Sequence, residues 1–303
     1  MTKTVLITGA SGLIGKALTE LLLQKGYTIH QLSRNLSKAN PGAKVFKWDV
    51  SRMQIDEQCI KNVDIIINLA GEGIADKAWT NKRKQQIITS RTGALKLLYD
   101  ALKNNPGHQV KTFISSSAVG HYGDRKDEIL TEESESGTDF MANTCLAWER
   151  AADKIEDLNI RLIIFRTGVV LSKDGGALPK IAKPIKLGFG AALGSGKQWV
   201  PWIHMLDVIN MFVFAIENEN LSGIYNMASP VPVTNSELTK ALARQLKKPL
   251  FLPKVPAFAL RLILGEMSRV ILNSNRTSSD KIIQAGFSFS YPKLETAITE
   301  IYD

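Results

Sequence analysis

Thr4-Val5-Leu6-Ile7-Thr8-Gly9-Ala10-Ser11-Gly12-Leu13-Ile14-Gly15 is the stretch that decides the fold of this 303-residue chain. An apolar run, Lys3–Thr8, reads as a buried strand and passes straight into three spaced glycines. The amphipathic pattern after them predicts a helix from about Leu13 to Lys25. A strand, a glycine turn and a helix start in that order bring backbone N–H groups and the positive end of a helix dipole to a pyrophosphate. Gly9 permits the sharp turn, Gly12 removes a Cβ where phosphates approach, and Gly15 lets the helix lie close on the sheet. The residues expected to hold a dinucleotide here are Thr8, Gly9, Ser11, Gly12, Leu13, Ile14 and Gly15.

Outward from this turn, short apolar runs alternate with helical stretches, the pattern of a parallel sheet covered on both faces. The expected strands are Lys3–Thr8, Thr28–Ser33, Ala43–Lys47, Asp64–Leu69, Lys111–Ser116 and Arg161–Arg166, with helices at Leu13–Lys25, Thr80–Lys103 and Cys145–Leu158. Ile65-Ile66-Ile67 and Leu162-Ile163-Ile164-Phe165 are apolar on both sides, as central parallel strands must be. Beyond Thr167 glycines and prolines interrupt the alternation. A helix near Leu206–Glu217 and a strand near Gly223–Met227 are expected to rejoin the first domain. Further on lie a helix at Asn235–Leu246, an apolar helical segment Ala257–Leu272 and two short terminal helices. Segment Ala257–Leu272 reads either as a core helix of a small domain or as a pocket lid or dimer contact. The fold class is α/β: a doubly wound parallel Rossmann-type sheet (1–168 and about 205–228) with a smaller mixed C-terminal substrate domain (about 169–204 and 229–303).

Composition narrows the classes. The chain is 44% hydrophobic, carries a net charge of +9 and has two cysteines without motif spacing, a pattern that fits a reducing, cytoplasmic setting. The charge reads as scattered and stands beside no nucleic-acid motif, so no nucleic-acid partner is expected. No signal peptide and no membrane span are read, and no membrane partner is expected. No His/Cys/Asp cluster has metal-ligand spacing, and a hydrolase elbow Gly-x-Ser-x-Gly is absent. A small-molecule substrate and, by base rate alone, a homodimer are expected. At the end of the second strand stand Ser33 and Arg34, with no acid to meet ribose hydroxyls. A carboxylate repels a 2′-phosphate where an Arg fork grips it, so NADP is expected over NAD, with Arg34 on the phosphate.

The Thr-Gly-x-x-Gly-x-x-Gly spacing resembles the short-chain dehydrogenase/reductase superfamily, in its extended, sugar-nucleotide-epimerase-like branch. The resemblance implies that Asp49 and Val50 contact the adenine and that Asn68-Leu69-Ala70-Gly71 lies beside the cofactor riboses. It also implies that Ser117, in Ser115-Ser116-Ser117-Ala118-Val119-Gly120-His121-Tyr122-Gly123, bonds the reacting oxygen. The superfamily's Tyr-x-x-x-Lys pair is missing. With Glu149 on the usual downstream Glu, Met141 takes the Tyr place and Cys145 the Lys place. Cys145 reads as a buried small hydrophobe. Tyr122, five residues past Ser117, is the expected replacement acid. This departure, with Trp199–Asp207 and the last seventy residues, narrows the resemblance to a poorly characterised epimerase/dehydratase-like subfamily with its own small C-terminal domain. Two functions remain open: an NADP-dependent oxidoreductase or epimerase, with Ser117 polarising an oxygen and Tyr122 moving the proton, or an NADP(H)-binding protein without catalysis.

Overall fold

In the computed structural model, which describes residues 3–36 and 40–303, the chain alternates strand and helix from the start. The first half holds β1 (Thr4–Thr8), α1 (Leu13–Gln24), β2 (Thr28–Ser33), β3 (Lys44–Asp49), β4 (Gln54–Ile55), β5 (Ile65–Asn68), α2 (Asn81–Asn104), β6 (Thr112–Ala118), β7 (Ile129–Leu130) and α3 (Phe140–Asp153). There follow β8 (Arg161–Thr167), β9 (Val169–Leu171), α4 (Leu178–Lys186), β10 (Trp199–Val200), β11 (Trp202–His204), α5 (Met205–Glu217) and β12 (Gly223–Met227). The C-terminal part adds β13 (Val233–Thr234), α6 (Asn235–Gln245), α7 (Ala257–Leu264), α8 (Arg269–Leu272), β14 (Arg276–Thr277), α9 (Asp280–Gln284) and α10 (Leu294–Tyr302).

Eight strands form the main sheet in the order β12-β8-β6-β5-β1-β2-β3-β4, parallel except for the β3–β4 pair. The strand order reverses at β1, between β5 and β2, so a crevice opens at the C-terminal ends of these strands. Alternation along each strand explains the double burial. Val5, Ile7, Ile65, Ile67, Ile114, Ile163 and Phe165 face one core with α1 and α5. Leu6, Ile66, Phe113, Leu162 and Ile164 face the other, with α2 and α3. Each such side chain contributes roughly 1.5–3 kcal/mol by leaving water, so the sheet is the stable platform on which the crevice is built. A third core joins Leu171, Leu178, Ile185 and Trp202 to Val233, Leu238, Leu242, Ala297 and Ile298, from α4, α6, α10 and their flanks.

Two expected elements differ. The helix expected from Cys145 begins at Phe140, because the Asp139 carboxylate accepts from Ala142 N at 2.9 Å and caps it, and it tightens into a 3₁₀ turn after Asp153. The segment Ala257–Leu272 is not a core helix. Gly265, at φ +57, breaks it into α7, a 3₁₀ turn and α8, and Leu262 and Ile263 stand 86% and 76% exposed. Only Leu260 of α7 is buried.

Candidate functional site

The crevice begins at the glycine turn, where Gly12 N donates to Gly9 O at 2.9 Å. A Cβ on Gly9, whose φ is +67, would stand 2.7 Å from Leu69 O, and one on Gly15 would stand 2.3 Å from Gly9 O. Only glycine lets β1, α1 and the end of β5 meet this closely. Gly12 is the N-cap of α1, and no side chain caps it. The first N–H groups of that helix, from Leu13 onward, therefore stand without a side-chain partner beside exposed Ser11 and Gly12. This donor set fits a dinucleotide pyrophosphate.

Thr8, expected among the contacts, has its side chain inside the protein. It is fully buried, donates to Asn68 Oδ1 at 2.7 Å and accepts from Leu69 N and Ala70 N at 3.1 Å each. Its hydroxyl therefore clamps the end of β5 to β1 and sets the position of Leu69, Ala70 and Gly71. Arg34 leaves β2 for solvent, 75% exposed, with Nη1 3.6 Å from Glu72 Oε1. Arg83 holds the other oxygen of Glu72 at 3.1 Å and donates to Gly73 O at 2.6 Å. Asp49 caps the turn after β3 through Ser51 N and Ser51 Oγ, at 2.9 and 2.6 Å, and the bond from the Ser51 hydroxyl leads in holding its carboxyl below the usual range. Val50 packs on α2 at Gly93, where an added Cβ would be 3.0 Å from Val50 Cγ1. Asp49 and Val50 thus sit one strand beyond Arg34, on the side expected for the adenosine.

The expected catalytic pair is sealed. Ser117, 3% exposed, donates its hydroxyl to Glu149 Oε1 at 2.6 Å. Arg166 grips the same carboxylate through Nε and Nη2 at 3.0 and 2.9 Å, and its Nη1 donates to Tyr122 Oη at 3.0 Å. Tyr122 has no exposed surface and donates to Asn226 Oδ1 at 2.6 Å. Burial pushes its phenol up to about 12, the reverse of what an acid poised near neutrality needs. The replacement acid expected from the sequence is therefore corrected: Tyr122 is a bolt between β6, β8 and β12. His121 Nδ1 lies 3.3 Å from Glu149 Oε2 but is not aligned to bond it, and burial lowers its pKa.

At the Tyr and Lys places of the superfamily motif, Met141 and Cys145 face Gly120, whose added Cβ would be 3.4 Å from Met141 Cβ and 3.8 Å from Cys145 Sγ. Burial holds the Cys145 thiol up at about 12, away from the thiolate that a nucleophile needs near neutrality. The charged residue of this wall is Arg91, which the sequence reading did not place in the site. It reaches from α2 across to α3, its guanidinium 4.9 Å over the Trp148 ring and pressed against Gly71. The signal for it was Ser90-Arg91-Thr92-Gly93, an Arg flanked by small residues that admit close packing. Above this wall, Lys84 pairs with Glu266, and Asn273 Nδ2 donates to Asp139 Oδ2 at 2.9 Å. The turn after α7 is thereby tied to the start of α2, and the end of α8 to the start of α3. Among the described residues no His/Cys/Asp/Glu group could hold a metal, and no helix is long and apolar enough to cross a membrane.

Comparison with known proteins shows the family. Residues 5–228 match the NAD dependent epimerase/dehydratase family, and residues 255–301 match a domain of unknown function, DUF1731. The epimerase family protein YfhF of Bacillus subtilis is 36% identical over 98% of this chain and 97% of its own. A chloroplastic SDR39U1 homologue of Arabidopsis thaliana is 35% identical over 98% of this chain and 86% of its own. The crystal structure of human epimerase family protein SDR39U1 with NADPH superimposes with a TM-score of 0.87 at 28% identity, covering 99% of each chain. The chain belongs to the NAD dependent epimerase/dehydratase family.

Proposed function

We propose that this member of the NAD dependent epimerase/dehydratase family binds NADP(H) in the crevice and does not run the Tyr–Lys proton relay of sugar-nucleotide epimerases. The observation that carries this reading is the sealing of both expected hydroxyls, Tyr122 on Asn226 and Ser117 on Glu149. Met141 and Cys145 stand where the relay's proton donor and cation belong, and neither moves a proton near pH 7. The glycine turn would hold the pyrophosphate, Asp49 and Val50 the adenosine, and Leu69, Ala70 and Gly71 the ribose side. Arg34, at the end of β2 where the sequence places no acid, would hold a 2′-phosphate. Its link to Glu72 is exposed and long, so it contributes at most about 1 kcal/mol and yields readily to a phosphate. The relative crystallised with NADPH supports the same choice. A bound nicotinamide supplies hydride chemistry; this chain's part is to bind and orient it beside a wall without a titrating acid. Two buried, free cysteines support a reducing compartment such as the cytoplasm.

The test is a titration of NADPH and NADP⁺ by fluorescence and calorimetry, followed by a carbonyl and sugar-nucleotide turnover panel. Tight binding, unequal between the two redox forms and without turnover above background, is the expected result. Turnover that disappears in both Ser117→Ala and Tyr122→Phe would restore the oxidoreductase or epimerase reading, which the family relatives' names favour.

A further inference from the structure

We infer that Arg91 is a ligand-binding residue of the crevice, seated there to take a carboxylate or phosphate oxygen. About nine-tenths of the residue is buried, yet among the described residues it has no counter-ion. Its one protein acceptor among the described residues is the carbonyl of Ile87, one turn back on the same helix, which Nη1 meets at 2.9 Å. Nε and Nη2 donate to no protein acceptor and are not closed off from solvent. The nearby acid, Glu72, is already held by Arg83 at 3.1 Å and Arg34 at 3.6 Å. A mostly buried charge without a counter-ion is costly, and arginine cannot escape by losing its proton.

The surroundings are nonetheless fitted to it. A Cβ on Gly71 would stand 3.0 Å from Arg91 Cζ and 3.1 Å from Nη2, so a side chain there would crowd the guanidinium and glycine leaves it room to lie close. Trp148 supplies a flat ring at 4.9 Å, which favours the cation but accepts no in-plane hydrogen bond. Cys145, on the facing helix, is small and neutral and leaves the cation uncompensated. Gly71 follows β5 at the crevice, so the free edge of the guanidinium, Nε with Nη2, is presented where ligands bind in open α/β sheets. A planar fork of N–H groups with two donors to spare matches two oxygens of one oxyanion. That oxyanion belongs either to the dinucleotide, in which case the inference rests on the function proposed above, or to a second, anionic small molecule.

Arg91→Met and Arg91→Lys test this, read by NADPH dissociation constant and by the melting temperature of the ligand-free protein. Arg91→Met is expected to melt at or above the wild-type temperature, because an unpaired buried charge is gone. If the oxyanion is the cofactor's, Arg91→Met weakens NADPH binding by roughly tenfold or more and Arg91→Lys by less. If it is a second ligand's, NADPH affinity stays within about twofold. In that case inorganic phosphate raises the melting temperature of the NADPH-saturated wild type but not of Arg91→Met. The inference is overturned if both variants keep wild-type NADPH and phosphate responses. It is equally overturned if both melt about 5 °C or more lower with binding intact, since Arg91 would then be a packing residue. Should the wild type bind no NADPH, the proposed function falls, and the phosphate response alone decides the role of Arg91.

Discussion

The role of Tyr122 is set by the neighbours of one oxygen atom. Its hydroxyl donates to Asn226, 104 positions away, and accepts from Arg166, which also holds Glu149. Tyr122→Phe removes a hydroxyl from a filled network and leaves Asn226 Oδ1 short of a donor. The expected loss is about 1–3 kcal/mol in denaturant unfolding, with the NADPH dissociation constant changed less than about twofold. A catalytic tyrosine would give the opposite split, with stability kept and activity lost. Arg34 is the reverse case: it is exposed and weakly tied, and its removal leaves the fold alone. Arg34→Ala is expected to weaken NADPH binding by about tenfold or more while leaving NADH binding nearly unchanged, as a calorimetric comparison of the two would reveal.

At the scale of elements, the contact between α1 and the sheet allows no side chain at position 15. Gly15→Ala puts a Cβ 2.3 Å from Gly9 O and 2.7 Å from Ala10 Cα, both backbone atoms that cannot swing aside. The helix must lift, and a loss of about 1–3 kcal/mol with a collapse of NADPH binding is expected in paired melting and titration experiments. Segment Ala257–Leu272 behaves otherwise. Apolar composition made it resemble a core helix, but Phe258 and Leu262, one turn apart, stand 73% and 86% exposed. Leu262→Ser is therefore expected to change unfolding free energy by no more than about 0.5 kcal/mol, a value ordinary denaturation resolves. The same change in a core helix would cost several times as much.

Across the whole molecule, charge is not scattered as composition suggested. Residues 175–206 and 238–265 hold ten Lys and Arg and no Asp or Glu, leaving 28 cations against 29 acids elsewhere. These two stretches meet at Leu193 and Val255, where Lys254 Nζ also donates to Ser195 O at 2.7 Å. The net charge of the protein thus resides in its smaller part. Histidine sets the pH response. Burial is the leading cause that lowers the pKa of His30, His108 and His121 from the ordinary 6.5. Each binds its proton more readily unfolded than folded, so the stability it contributes is fully present above pH 6.5 and is lost as pH falls below it. Glu132, raised mainly by burial, works in the opposite sense nearer the carboxylate range. Unfolding free energy measured from pH 7.5 to 5.5 is expected to fall steadily, and a flat profile would contradict this sign.

The sequence by itself determined the glycine turn, the strands Thr28–Ser33 and Gly223–Met227 to the residue, and the absence of an acid at the end of the second strand. Each of these is a local matter: side-chain alternation, the missing Cβ of glycine, and the identity of a single residue at a strand end. Tertiary structure alone decided that the Thr8 hydroxyl clamps β5 to β1, that Tyr122 points inward, and that Arg91 lies against Gly71 and Trp148 with no counter-ion among the described residues. Those outcomes depend on where the last atoms of long side chains end, and on partners tens of residues away whose distance no periodicity encodes. A tyrosine five residues past a serine reads alike whether its hydroxyl faces a crevice or Asn226; only packing distinguishes a proton donor from a structural bolt.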